Sequence, residues 1–286
     1  MSTKNSPVQK LKSAFAIITI PVILVISFLI YYFLLGNPEN FAGGTTEGHP
    51  DNYLGIVYKG GIIVPVLISF FLMVVTFSIE RFLTITKAKG QGSLEDFLRA
   101  VKHDLSVVNI DAGIKRCEIQ KGSVGNVVLA GLLKYKQMIV EQGLSKDQKV
   151  LAVQKEVEEA TSLELPMLEK NLTIIATLAS IATLTGLLGT VIGMIKAFAA
   201  LATAGAPDAV ALANGISEAL INTALGIATS ALAIISYNYF TSRIDTLTYS
   251  IDEISFSITQ GFSASYHEKR VGFSTEDGVL NKKLAV

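Results

Sequence analysis

The sequence is poor in charge and in the residues that form most enzyme and disulfide sites. Only 17% of its 286 residues are Asp, Glu, Lys or Arg, against roughly 25% in soluble domains. The 24 basic and 24 acidic residues cancel, which argues against a strongly basic nucleic-acid-binding surface. A single cysteine, Cys117, excludes an intrachain disulfide and a zinc site made of several cysteines. The chain is instead 50% hydrophobic with a mean hydropathy of +0.48, which indicates a membrane protein.

Enzyme motifs are also missing from the sequence. The three histidines, His49, His103 and His267, lie far apart, and neither H-E-x-x-H nor G-x-x-x-x-G-K-[ST] occurs. We therefore expect no enzyme, no catalytic residue, no cofactor and no metal. His49 lies near Glu47 and Asp51, a composition that resembles a metal site, but a solvated turn is the favoured interpretation.

Four stretches are long and apolar enough to cross a bilayer, which takes about 20 mainly apolar residues. They are 14–35, 60–80, 170–200 and 212–240. The first has the basic start of a secretory signal, but its apolar run is too long and no A-x-A site follows, so we interpret it as a retained anchor. The predicted fold class is all-α: a polytopic helical membrane protein with four transmembrane helices, whose long helices extend into a cytoplasmic helical domain.

The distribution of lysine and arginine predicts the orientation of the chain. Residues 1–13 carry three lysines and no acid, and residues 80–167 carry thirteen Lys and Arg, so both are expected inside. The resulting domains are a cytoplasmic N-terminus 1–13, a periplasmic loop 36–59, a cytoplasmic helical domain 81–169, a short periplasmic link 201–211, and a cytoplasmic helix and tail 241–286. Both termini are therefore predicted to be cytoplasmic.

The soluble parts are predicted to be helical. Ser145 and Gln148 form an S-x-x-Q capping box, which predicts the start of a long helix that continues past a kink at Pro166 into the third span. Apolar residues at three- and four-residue steps predict that the fourth span continues as a helix with one buried stripe. The members of that stripe are Ile244, Leu247, Ile251, Ile254 and Ile258. A cytoplasmic bundle is the plain interpretation of these segments.

The third span is built from Thr, Ala and Gly more than from leucine. Small residues let membrane helices approach closely. Gly186, Gly189 and Gly193 share one helical face, and Thr183 and Thr190 share a line beside it. We expect the glycines, together with those of the next span, to pack helix against helix.

The fourth span carries one polar side. Glu218 and Asn222 lie on the same face as Thr229 and Ser236, while Thr223 and Gly226 lie on the adjoining arc. An ionised carboxylate in a membrane costs at least a few kcal/mol, and residues of this kind mark functional sites by default. The alternative is a carboxyl held neutral by Asn222 or satisfied by a basic partner. Lys196, near the outer end of the third span, is expected to snorkel to the headgroups.

The two polar spans resemble the MotA/TolQ/ExbB proton-channel family, and within it ExbB most closely. The resemblance rests on LEKNLTIIATLASIATLTGLLGTVIGMIKAF (168–198) and GISEALINTALGIATSALAIISYNYF (215–240). It is strong over 165–255, and over 60–165 it extends to the architecture alone. By position, Glu218 matches the family's pore glutamate, and Thr190 and Thr223 match its pore threonines. Asn222 and Thr183 are expected to belong to the same proton pathway. Asn222 departs from the small residue of many relatives, and its hydrogen bonding with Glu218 is left open.

The resemblance implies a subunit of a bacterial inner-membrane proton channel. Five copies would surround an ExbD-like single-span partner that carries an essential aspartate. Proton flow would drive a TonB-like protein and thus energise TonB-dependent outer-membrane transport. Membrane lipid is an expected contact and nucleic acid is not. The helix 14–35 is additional to the three spans of well-known ExbB proteins, and we expect it at the periphery of the ring.

Two alternatives remain at this point. One is a TolQ-like or stator-like motor subunit of the same family, since sequence hardly separates TolQ from ExbB. The other, from a different class, is a membrane scaffold whose Glu218 holds a partner helix and conducts nothing. Proton flux in liposomes would distinguish the scaffold from the channel.

Overall fold

The protein is described here from a computed structural model that covers the backbone of residues 7–202 and 208–283 and the side chains of 15–202 and 208–265. Helices dominate these residues, and the described part of the chain contains an isolated bridge between Phe41 and Pro50 but no strand. The α-helices are α1 (Pro7–Leu29), α2 (Tyr53–Tyr58), α3 (Ile63–Lys89), α4 (Leu94–Ser106), α5 (Ile110–Gln120), α6 (Gly122–Val140), α7 (Lys146–Glu169), α8 (Leu172–Leu201) and α9 (Ala209–Lys283). A π-helix, Ile30–Leu35, continues α1, and two 3-10 turns follow it at Pro38–Asn40 and Ala42–Gly44.

Four helical segments are long and apolar enough to cross a membrane. They are Phe15–Leu35, Ile63–Ser106, Lys146–Leu201 and Ala209–Ser265. These segments confirm the predicted all-α polytopic fold class. The predicted domain boundaries and membrane sides stay predictions, and parts of three of them, residues 1–6, 203–207 and 284–286, lie outside the described residues.

The chain forms two compact units. The first contains Met1–Arg81 and Asn171–Tyr239, and the second contains Phe82–Lys170 and Phe240–Val286. The first unit therefore holds α1, α2, α8 and the apolar parts of α3 and α9. The second holds α4 to α7 with the remainder of α3 and α9.

In the first unit, the segment between α1 and α3 is folded by polar side chains. Asn40 Nδ2 donates to the carbonyl oxygens of Leu34 and Leu35 at 2.8 and 2.9 Å, which satisfies acceptors left free where the π-helix ends. Asn52 donates to Asn40 Oδ1 at 2.9 Å and caps α2 by accepting from the N–H of Gly55 at 3.0 Å. These bonds fix the chain just before Gly60 and Gly61, where α3 is about to begin.

The second unit is a helical bundle with an apolar interior, as predicted. The five members of the predicted stripe on α9, from Ile244 to Ile258, are all buried, which confirms the stripe. The capping box is also confirmed: Ser145 accepts from the N–H of Gln148, and the Gln148 side chain accepts from the N–H of Ser145. On α7, Val153 and Val157 face the interior while Leu151 and Leu163 are exposed.

The junction between α7 and α8 differs from the prediction of a helix running past a kink at Pro166. Pro166 lies within α7, and the interruption comes later, at Lys170 and Asn171. Asn171 adopts a left-handed conformation with φ 66°, a backbone state that ends a helix and that asparagine tolerates better than most residues. The local backbone at Asn171 therefore separates α7 from α8.

Candidate functional site

Helices α8 and α9 lie antiparallel and touch through glycines. A Cβ added at Gly186 would lie 2.8 Å from the carbonyl oxygen of Asn222, and one added at Gly226 would lie 2.9 Å from Gly186 Cα. At Gly189 an added Cβ would lie 2.4 Å from Asn222 Cβ, and at Gly193 it would lie 2.6 Å from the nitrogen of Ala219. The absence of side chains at these four positions brings the two backbones into contact.

This close approach brings Lys196 onto Glu218. Lys196 Nζ donates to Glu218 Oε1 at 2.7 Å and to Oε2 at 2.8 Å. The Glu218 side chain is 8% exposed, and that of Lys196 is 54% exposed. The expectation that Lys196 only snorkels to the headgroups is thus corrected: its ammonium neutralises the buried carboxylate, which is the basic partner that the alternative interpretation of Glu218 required.

The start of α3 closes the site on another side. Gly61 has φ +77°, and a Cβ at this position would lie 2.5 Å from Glu218 Oε1. Its neighbour Gly60 accepts a hydrogen bond of 2.8 Å from Asn222 Nδ2 through its carbonyl oxygen. Gly61 therefore combines a conformation that favours glycine with a position where a side chain would displace the carboxylate. We refer to Glu218, Lys196, Asn222, Gly60 and Gly61 as the carboxylate site.

Asn222 is the most buried polar member of this site. Its Nδ2 group binds Gly60 rather than Glu218, which answers the question that the sequence left open. Its Oδ1 atom is buried and has no hydrogen-bond partner among the described residues. A buried acceptor without a hydrogen bond costs free energy.

The threonine pair, Thr190 and Thr223, lies next to the carboxylate site. The two hydroxyls form a hydrogen bond with each other, and Thr190 Oγ1 also lies 3.3 Å from the carbonyl oxygen of Gly186 and 3.4 Å from that of Ala219. Both threonines are half-buried. The structure thus joins two of the residues that the resemblance assigns to the pore, on the same helix pair as Glu218.

Other residues of the predicted polar faces lie elsewhere. Thr183 is exposed, and its hydroxyl donates to the carbonyl oxygen of Ala179 within its own helix at 3.4 Å, so it does not join the threonine pair. Thr229 is buried, Ser236 is half-buried, and both lie further along α9 than Asn222.

Residues before α3 contribute to the surroundings of the site, which the sequence did not predict. Tyr31 and Leu35 of the π-helix form a buried cluster with Val64 of α3, and Ile221 and Leu225 of α9 pack against it. The Tyr31 hydroxyl donates to the carbonyl oxygen of Tyr58 at 3.2 Å, and the two rings stack at 4.6 Å. The only sign of this packing in the sequence is the pair of tyrosines, Tyr31 and Tyr32, near the end of the first predicted span.

The chemistry available at the carboxylate site is that of a single acid. The described residues include no group of three or more His, Cys, Asp and Glu side chains that could hold a metal ion. Glu218 can exist as a carboxylate bound to an ammonium, or as a neutral acid after it takes up one proton.

The part of the chain that carries Glu218 and the threonine pair also matches a known protein family. Residues 125–253 match the model of the MotA/TolQ/ExbB proton channel family. This stretch includes most of α6, all of α7 and α8, and the part of α9 that carries Glu218 and Thr223.

Individual relatives carry two different names. The Tol-Pal system protein TolQ of Pseudomonas aeruginosa is 34% identical over 124 residues, which is 43% of this chain and 54% of that protein. The biopolymer transport protein ExbB of Helicobacter pylori is 41% identical over 81 residues, 28% of this chain and 56% of that protein. The putative biopolymer transport protein ExbB-like 3 of Synechocystis is 35% identical over 88 residues, 30% of this chain and 42% of that protein.

The chain thus spans about half of the length of these relatives. The matches to TolQ and to ExbB agree with the resemblance of 168–198 and 215–240. Together with the family model, they show that this chain contains a domain of the MotA/TolQ/ExbB proton channel family.

Proposed function

We propose that this chain is a proton-channel subunit in which Glu218 takes up and releases the transported proton. The observation that supports this role best is the carboxylate site itself: a buried acid, held by Lys196 Nζ at 2.7 and 2.8 Å, on a helix pair apolar enough to cross a membrane. The Glu218 carboxylate is 8% exposed and loses most of its hydration, so its ion pair with Lys196 contributes little net stability compared with apolar packing. We therefore attribute this pair to function rather than to stability.

A single proton at this site can change which structure is favoured. Protonation of Glu218 removes the negative charge that holds Lys196 and leaves one uncompensated ammonium on α8. Each elementary charge that crosses the membrane field contributes about 2.3 kcal/mol per 100 mV. That amount is comparable to the difference between two conformations of one assembly, so one proton can bias one step of a motion.

We propose further that several copies form a ring, five if the resemblance extends to assembly, around an ExbD-like single-span helix with an acidic residue. The polar faces of α8 and α9 support this arrangement, because the half-buried threonine pair would then face the interior of the ring. Native mass spectrometry of the purified membrane complex should give a closed oligomer, and a monomer in the presence of the partner would contradict the proposal.

The energised process is also a proposal. The resemblance to ExbB implies a TonB-like partner and transport across the outer membrane, whereas the match to a Tol-Pal system protein, TolQ, suggests a Tol-Pal type of system. We favour the ExbB-like role in a bacterial inner membrane because the two polar spans resemble ExbB more closely than other members of the family. Loss of uptake of a TonB-dependent substrate after deletion would support it, and an envelope-integrity defect with normal uptake would favour the TolQ-like role.

Proton flux separates the channel from the non-conducting scaffold. The chain, purified with its single-span partner, would be reconstituted into liposomes that contain a pH-sensitive dye and carry an imposed potential. We expect flux from the wild type and none from Glu218→Gln, which keeps the shape and hydrogen bonding of the side chain but cannot titrate. The matched control is Glu159→Gln on the exposed side of α7. An active Glu218→Gln complex would leave this residue a packing role only.

A further inference from the structure

Lys196 occupies the position from which a cation would bind Glu218. Its ammonium contacts both carboxylate oxygens at 2.7 and 2.8 Å, so neither oxygen is left without a positive neighbour. The side chain reaches across from α8, 22 residues earlier in the chain. Lys196 therefore supplies Glu218 with a monovalent cation that is covalently attached to the protein.

The exposed fractions show where a cation from solution would have to approach. Glu218 is 8% exposed and Lys196 is 54% exposed, so the ammonium forms the open side of the pair. On its other sides the carboxylate meets Gly61, where an added Cβ would lie 2.5 Å from Oε1. An ion that approaches Glu218 from solution thus meets the positive charge of Lys196 first.

A proton and an alkali cation differ in what they need at such a site. A sodium ion needs several oxygen ligands around it and room beside the carboxylate, and it would be repelled by an ammonium a few ångströms away. A proton needs only one carboxylate oxygen, and after it binds, the ammonium can move away from the neutral acid. The Lys196 ammonium occupies the position that a sodium ion would need, but it does not prevent a proton from binding to the carboxylate.

We propose that Lys196 is the residue that makes the Glu218 site selective for protons by excluding sodium and other alkali cations. This inference rests on the proposed role of Glu218 in ion transport, but it makes a separate claim about binding. Without Lys196, the carboxylate would be open to a cation from solution. The carboxylate site also contains two uncharged oxygens, Asn222 Oδ1 and the carbonyl oxygen of Gly60.

The test is a melting experiment on the purified full chain with its partner, in sodium chloride and in choline chloride at equal ionic strength and alkaline pH, where protons compete least. The wild type should melt at the same temperature in both salts. Lys196→Met should be stabilised by sodium in a saturable way, by roughly 3–6 °C at a tenfold excess over its dissociation constant. Lys196→Arg is the matched control, which keeps a cation at the site and should not respond.

Several results would overturn the proposal. One is an equal sodium shift in the wild type. Another is a folded Lys196→Met or Lys196→Gln chain that does not respond to sodium, and a third is a response that persists when Glu218→Gln is added to Lys196→Met. If the Lys196 variants do not fold, sodium titration against proton flux in wild-type liposomes decides: inhibition by sodium contradicts the proposal. A wild-type complex with no proton flux would instead refute the proposed function, whatever the melting curves show.

Discussion

Helices in the two units of this chain are packed in opposite ways. Between α8 and α9, glycines remove side chains from the contact and leave buried polar groups next to one another, such as Glu218 and Asn222. In the bundle of the second unit, large apolar side chains such as Tyr135, Phe262 and Ile254 are fully buried. Adding atoms should disrupt the glycine contact between α8 and α9, whereas removing atoms should disrupt the apolar interior of the bundle. The two kinds of packing can therefore be tested separately.

The largest effect is expected from adding a side chain between α8 and α9. Gly189→Leu places atoms where even a Cβ would lie 2.4 Å from Asn222 Cβ, so the two backbones must separate. We expect loss of the folded membrane complex, measured by size-exclusion chromatography in detergent.

A matched pair of smaller substitutions sharpens this test. Gly189→Ala should destabilise, whereas Gly261→Ala in the bundle should stabilise by about 0.5–1 kcal/mol, because a Cβ at Gly261 has nothing within 4 Å and alanine favours the helix. The same sign for both would mean that close helix approach does not define the α8–α9 contact.

Removing atoms from the bundle should have the next largest effect. Ile254 is completely buried, so Ile254→Ala should lower the free energy of unfolding by about 2–5 kcal/mol. Leu151→Ala on the exposed side of α7 is the control and should change it by less than about 0.5 kcal/mol. Chemical denaturation would measure both, and similar losses would contradict the apolar core assigned here.

The hydroxyl of Thr190, in the contact between α8 and α9, should matter more for proton conduction than for stability. Thr190→Val keeps the shape of the side chain and leaves Thr223 without its hydroxyl partner, at a cost of about 1 kcal/mol. Proton flux in liposomes should fall strongly while the yield of complex changes little. Thr177→Val is the control, since the Thr177 hydroxyl donates to the carbonyl oxygen of Thr173 within α8. Unchanged flux in Thr190→Val would remove the threonine pair from the proton path.

The smallest effect at neutral pH concerns the bundle's single thiol. Burial raises the pKa of Cys117 from its usual 9.0 to about 12, so the thiolate is about a thousandfold rarer in the folded protein than in an exposed cysteine. Alkylation at pH 8 should therefore be very slow without denaturant. Because the unfolded chain releases this proton first, stability should begin to fall as pH rises above 9. Rapid labelling of native protein would show that the bundle opens.

The sequence was sufficient to predict features that depend on local periodicity. The stripe from Ile244 to Ile258 and the capping box of Ser145 and Gln148 are properties of one helix each, and both appear in the structure. The four apolar spans are likewise set by composition within single segments.

Contacts between helices were not predictable in the same way. The sequence singles out Lys196 and Glu218 separately, but their pairing depends on the rotation and register of α8 against α9. A signal for it existed: Lys196 lies five residues before the end of α8 at Leu201 and Glu218 nine residues after the start of α9 at Ala209, so a hairpin places them at similar depth. At a rise of about 1.5 Å per residue, the long lysine side chain covers the difference.

The role of Gly60 and Gly61 was hidden for a further reason. Their importance lies in the space that they leave for Glu218 and Asn222, far away in the sequence, and a glycine before a helix carries no sign of what will fill that space. The π-helix at Ile30–Leu35 was also not predictable, because its backbone differs from an α-helix while its composition does not.

The central claim is that Glu218 gains and loses a proton inside the membrane domain. Difference infrared spectroscopy of the reconstituted complex during a pH change tests it most directly, because the C=O stretch of a neutral carboxylic acid is distinct from the bands of a carboxylate. We predict that a protonated-carboxyl band rises as the pH falls in the wild type and in Glu159→Gln, and that it is lost in Glu218→Gln. An identical band in Glu218→Gln would contradict the account, since the titrating acid would then lie elsewhere in the complex.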